Sequence, residues 1–145
     1  LREESTRPII FVAGGTGFAP IKSMIEHALH SKVDRAMVLY WGARALPDLY
    51  LPHLPGQWQT EHADFTYIPV LSDPRAEDAW PGRTGFVHEA VVADFPDLSG
   101  YDVYACGGPG MIEAARRDFT QRCKLPGDQF HADSFTYAAE AEARI

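Results

Sequence analysis

The residues best placed to do chemistry are two glycine-rich stretches, Gly14-Gly15-Thr16-Gly17 and Gly107-Gly108-Pro109-Gly110. Glycine reaches positive φ at no steric cost and lets a ligand come against the backbone. A helix that starts directly after such a turn offers free N–H groups and the positive end of its dipole, a natural seat for a pyrophosphate. Cys106 stands just before the second stretch, where it reads either as a buried small apolar residue or as a thiol activated by a helix N-terminus. A thiol enzyme would also need a positioned base, and His131 is the candidate that the strand layout offers. The histidines show no metal-ligand grouping, so no metal site is expected.

Two common phosphate-binding patterns do not fit. The GxGxxG dinucleotide fingerprint fails because Gly15 and Gly17 match but Pro20 stands where the third glycine belongs. The acidic residue that usually binds ribose after the second strand is also missing, since Trp41 is followed by Gly42-Ala43-Arg44. No GK[ST] follows the glycines, which excludes a Walker loop. A turn required only for packing is the plain alternative for a lone Gly-Gly-Thr-Gly, and the second turn at another strand end weighs against it.

The elements that must position these turns are legible from periodicity. Residues 8–13 form a short continuous apolar run that suits a strand buried on both faces. Ile21, Met24, Ile25, Ala28 and Leu29 then recur at helical spacing, with Pro20 in the tolerated first turn. Further strands are expected over 36–41, 65–71, 101–106 and 129–132. Partly helical structure interrupted by Pro52 and Pro55 is expected over 46–61, a loop over 72–83, a helix over 85–94 with Phe86, Val87, Ala90, Val91 and Phe95 at helical spacing, and an amphipathic helix over 111–123. Strands alternating with helices predict a doubly wound, three-layer α/β/α domain. Its five-stranded, mainly parallel sheet has spatial order 3-2-1-4-5, counting the expected strands along the chain.

The chain has 145 residues, enough for one domain and short for two. Hydrophobic residues at 46% and charged residues at 23% are ordinary for a globular protein. A net charge of −7 argues against nucleic acid as a partner, because phosphate backbones require clustered Lys and Arg. The two cysteines, Cys106 and Cys123, lack CxxC spacing, so no disulfide framework is expected. No apolar run approaches the length of about 20 residues that a membrane span needs, and residues 1–7 are polar, unlike a secretory signal; a cytoplasmic protein is expected.

Five stretches in a fixed order resemble the nicotinamide-binding domain of ferredoxin reductase-like flavoenzymes, a family that includes bacterial NADH-dependent oxygenase reductases and reductases of the CDP-6-deoxyglucoseen type. They are Ala13-Gly14-Gly15-Thr16-Gly17-Phe18-Ala19-Pro20, Tyr40-Trp41-Gly42-Ala43-Arg44, Leu71-Ser72-Asp73, Cys106-Gly107-Gly108-Pro109-Gly110-Met111 and Phe130-His131-Ala132-Asp133-Ser134-Phe135. Each is weak alone, and together they are specific and cover nearly the whole chain.

The resemblance implies that Gly14 to Gly17, with Phe18 and Pro20 opening the helix, cradle the pyrophosphate of a dinucleotide. Arg44, Ser72 and Asp73 would lie near the adenosine ribose, although Arg44 also reads as a solvated surface cation. NADP-dependent relatives commonly carry an Arg after the serine, whereas Asp73 would repel a 2′-phosphate and accept from ribose hydroxyls, which favours NADH over NADPH. Cys106 would sit beside the nicotinamide with Gly107, Gly108, Pro109 and Met111 around it, and Asp133 would be an acidic group near the reacting centre. Met111 also reads as a core contact. Phe135 resembles the aromatic that covers the flavin, with an ordinary core aromatic as the alternative.

FAD would belong mainly to an N-terminal flavin-binding barrel absent from this chain. Residues 1–7 are then a linker from that domain, 8–137 the NAD(P)H-binding domain and 138–145 a tail. Electrons would pass on to an iron-sulfur domain or to an oxygenase or dehydrase partner. A stand-alone nucleotide-binding regulatory module without hydride chemistry is the competing reading.

Overall fold

A computed structural model of the chain describes residues 4–51 and 53–134. Its sheet is built from β1 (Ile9–Gly14), β2 (Met37–Ala43), β3 (Phe65–Leu71), β4 (Arg83–Thr84), β5 (Asp102–Gly107) and β6 (Phe130–Ser134). The helices are α1 (Phe18–His30), α2 (His53–Glu61), α3 (Val87–Asp94) and α4 (Pro109–Arg122). Strand order is β4-β3-β2-β1-β5-β6, and every pairing is parallel.

The expected five strands are therefore all present in the expected order, and the expectation of a five-stranded sheet is corrected to six. The added strand, β4, has only two residues and pairs Val70 with Arg83 and Leu71 with Thr84. It was expected as loop because so short a pairing produces no hydrophobic alternation. Between Leu46 and Glu61 the chain forms a 3-10 turn over Leu46–Asp48 and then α2, with Pro55 tolerated in the first turn of that helix; Pro52 lies outside the described residues.

Side chains of a strand alternate between faces, and β1 shows both faces buried. Ile9, Phe11 and Ala13 join Phe18, Ile21 and Ile25 of α1 and Trp58 of α2 in one core. Ile10 and Val12 join Val87 and Val91 of α3 and Ile112 and Phe119 of α4 in the other. The continuous apolar run of β1 thus follows from its place in the middle of three layers. The chain runs outward from β1 through β2 and β3 to β4, then crosses back to place β5 on the other side of β1. This reversal between β1 and β5 is where an open parallel sheet leaves a crevice beyond its carboxyl ends.

Candidate functional site

A cleft of about 1050 Å³ opens over those carboxyl ends. It is bounded by the turn after β1 (Gly14, Gly15, Thr16), the ends of β2 and β3 (Arg44, Ser72, Asp73), the start of α3 (Phe86, His88) and the start of α4 (Gly108, Pro109, Met111). The volume suits a ligand somewhat larger than an ordinary small molecule.

The two glycine turns are neighbours in space because Ala13 and Cys106 are register partners on β1 and β5. A Cβ built on Gly14 would lie 3.1 Å from the Met111 Cε, and one on Gly107 would lie 2.5 Å from that atom. Met111 therefore covers both glycines while also facing the cleft, so its packing and lining roles coexist. A side chain on Gly17 would collide with the carbonyl of Cys106, which locks the first turn against the end of β5. Gly15 has a φ of 56°, in the left-handed region that favours glycine. From it a 3-10 turn over Gly15–Gly17 runs directly into α1. Gly108 is the N-cap of α4 and Pro109 its first residue, leaving the following N–H groups of that turn directed out of the helix.

The opposite wall is held by backbone pairing that continues past the strands. The Ser72 N–H donates to the Ala43 carbonyl at 2.9 Å and the Asp73 N–H to the Arg44 carbonyl at 2.8 Å, which sets Arg44 and Asp73 side by side and exposed. Asp78 ties the two loops together, accepting from the backbone N–H of Leu46 at 3.2 Å and of Arg75 at 2.9 Å.

Other predicted residues sit behind these walls. Phe18 is fully buried and stacked on Trp41, with ring centroids 3.8 Å apart. Pro20 is exposed on α1, away from the lining of the cleft. Cys106 is buried at the end of β5, one residue before the glycine that Met111 covers. Burial pushes its thiol pKa up, and the nearby Asp133 carboxylate adds to the shift. Both effects act against the thiolate that a helix N-terminus would favour, and the residue registered beside Cys106 is Asp133, exposed on β6. His131 stacks on Tyr104 at 4.7 Å between ring centroids. Phe135 lies outside the described residues. Among the described residues no group of three or more His, Cys, Asp or Glu side chains is arranged to hold a metal ion, and no helix is long and apolar enough to cross a membrane.

Three lining residues escaped sequence reasoning. Phe86, expected as part of the apolar helical pattern, is 63% exposed at the N-cap of α3 and lines the cleft. His88 is buried, and its Nε2 lies 3.2 Å from Asp118 Oδ2 on α4. Tyr50 is half-exposed and meets the Trp41 ring edge-on at 5.3 Å. The signal for Phe86 was Gly85, whose φ of 112° breaks the helical pattern just before it.

An open parallel α/β sheet with a glycine-lined cleft at its reversal point defines a class, the dinucleotide-binding domains. The family model for the oxidoreductase NAD-binding domain matches residues 11–117. Protein RfbI of Salmonella typhimurium is 49% identical over 98% of this chain, and a CDP-6-deoxy-L-threo-D-glycero-4-hexulose-3-dehydrase reductase of Yersinia pestis is 44% identical over 91%. The crystal structure of the Amycolatopsis reductase GcoB superposes with a TM-score of 0.83 over 94% of this chain and 40% of its own, at 34% identity. The chain belongs to the oxidoreductase NAD-binding domain family, within the ferredoxin reductase-like flavoenzymes. It spans 42% and 39% of the lengths of the two relatives.

Proposed function

We propose that the chain is the NADH-binding part of a flavin-dependent reductase whose electrons pass to an iron-sulfur centre or a partner protein. The observation that carries this reading is the single cleft joining both glycine turns to the Arg44, Ser72 and Asp73 wall. The names of its relatives as a dehydrase reductase and a cytochrome reductase support it. When bound, NADH would supply the hydride and FAD, held mainly by a barrel domain preceding this chain, would accept it.

The chain's own residues bind and orient. The turn from Gly14 to Gly17 and the first turn of α4 present backbone N–H groups to a diphosphate, where the helix dipole favours negative charge. Asp73 accepts from ribose hydroxyls and repels a 2′-phosphate, with Ser72 and Arg44 beside it. Phe86 offers an aromatic face to a base. At the other end Cys106 backs the nicotinamide pocket from beneath the glycine turns, and Asp133 is the acidic group registered beside it. In this reading residues 8–137 are the binding domain, 1–7 a linker from the flavin domain and 138–145 a tail.

Calorimetry on the chain with NADH, NADPH and ATP tests the proposal. NADH binds most tightly; equal binding of all three, or none, overturns it.

A further inference from the structure

The last residues of β2, Trp41, Gly42 and Ala43, include no ribose-binding acid, and the large side chain among them is Trp41. Its ring is fully buried, stacked on Phe18 with an interplanar angle of 12° and met edge-on by Tyr50. From this fixed position the indole Nε1 donates a hydrogen bond of 3.0 Å to the carbonyl oxygen of Gly15. Gly15 is the cleft glycine with the φ of 56°. A trans peptide carries its C=O and its N–H on opposite sides. Holding the Gly15 oxygen toward the buried indole therefore turns the Thr16 N–H away from Trp41. Thr16 itself lines the cleft.

The Phe18 backbone N–H also donates to the Gly15 oxygen as it closes the 3-10 turn, so the indole is a second donor, one that ties this turn to the core, and a turn already held in place avoids ordering entropy that binding would otherwise cost. We propose that Trp41 is a positioning residue: its indole N–H, together with the Phe18 backbone N–H, holds the Gly15–Thr16 peptide so that the Thr16 amide faces the diphosphate of the bound dinucleotide. This rests on the NADH-binding reading above. It also explains why β2 carries an aromatic with a donor at Trp41, since a buried phenylalanine would fill the same core without reaching the turn.

Trp41→Phe keeps the aromatic stack and removes the donor. Calorimetry on the wild-type and variant chains with NADH, ADP-ribose and AMP reads the effect, with thermal unfolding as the control for folding. NADH and ADP-ribose weaken about five- to tenfold, the worth of one well-placed hydrogen bond, while AMP, which has no diphosphate, keeps its affinity. Equal weakening of all three, or no change in any, overturns the proposal. The wild-type chain supplies a readout that needs no variant: the Trp41 indole N–H resonance moves on adding ADP-ribose and stays in place with AMP. A resonance that ignores ADP-ribose while the ligand binds overturns the positioning role alone. Failure of the wild-type chain to bind either NADH or ADP-ribose sinks the underlying functional reading instead.

Discussion

In the proposed reading, cofactor choice turns on Asp73. Its carboxylate stands exposed beside Arg44 on the cleft wall, fixed by the hydrogen bond from its own backbone to the Arg44 carbonyl. A 2′-phosphate near it meets repulsion, and reversing the charge turns repulsion into attraction. Asp73→Arg is therefore expected to shift the ratio of NADPH to NADH affinity by about tenfold toward NADPH; an unchanged ratio in paired titrations removes Asp73 from selectivity. Cys106 makes a second prediction at this scale. Both cysteines are buried and free, and burial pushes both thiols up. A thiol-specific disulfide reagent at about pH 8 leaves both unmodified in the folded chain and labels both after unfolding. Rapid labelling of Cys106 in the folded chain would restore the nucleophile reading that its burial argues against.

Among the elements, the start of β5 carries a buried electrostatic anchor. Asp102 is 1% exposed; its Oδ1 accepts from Arg7 Nε at 2.9 Å, and its Oδ2 from the buried Arg35 at 2.7 Å. Arg35 also donates to the Arg7 carbonyl, so the segment before β1, the loop before β2 and the start of β5 are joined at the end of the sheet opposite the cleft. Burial by itself raises the Asp102 pKa, but hydrogen bonds from Ser5 and Arg7 and the charges of Arg7 and Arg35 bring it below the ordinary carboxylate value. A depressed folded pKa means that the stabilisation is complete above about pH 4, the unfolded value, and is lost as pH falls through the lower folded one. Asp102→Asn leaves the buried Arg35 facing an amide and is expected to cost about 3 kcal/mol at neutral pH. Denaturant unfolding as a function of pH checks both points: the variant is less stable above pH 4, and the gap narrows in acid. A gap that is constant with pH would assign the loss to packing alone.

At the scale of the whole molecule, the chain spans about two-fifths of RfbI and of the dehydrase reductase. Its cleft holds groups suited to binding and orientation, while the flavin-binding region belongs, in the proposed reading, to the part of the parent that precedes Leu1. The isolated chain is then expected to bind NADH without oxidising it when ferricyanide is offered as acceptor, and joining it to the preceding region of its parent brings the reaction back. Turnover by the chain alone would overturn this division of labour.

The sequence by itself determined the strand and helix alternation, the two glycine turns and the family. Local chemistry is enough for these: apolar runs mark buried strands, and glycine marks backbone that must bend or be approached. It also placed Arg44, Ser72 and Asp73 at strand ends, because parallel strands deliver their carboxyl-end residues to a common edge. Only the tertiary structure decided which residues face one another across that edge. Phe86 is the N-cap of α3 with an extended backbone, so it stands outside the helix, and a helical spacing pattern cannot tell a cap from a first turn. That Met111 covers both glycines, that Trp41 reaches the Gly15 carbonyl, and that Cys106 is buried beside Asp133 all arise from contacts between distant segments. Such contacts depend on register and layer order, which are settled when both faces of the sheet close.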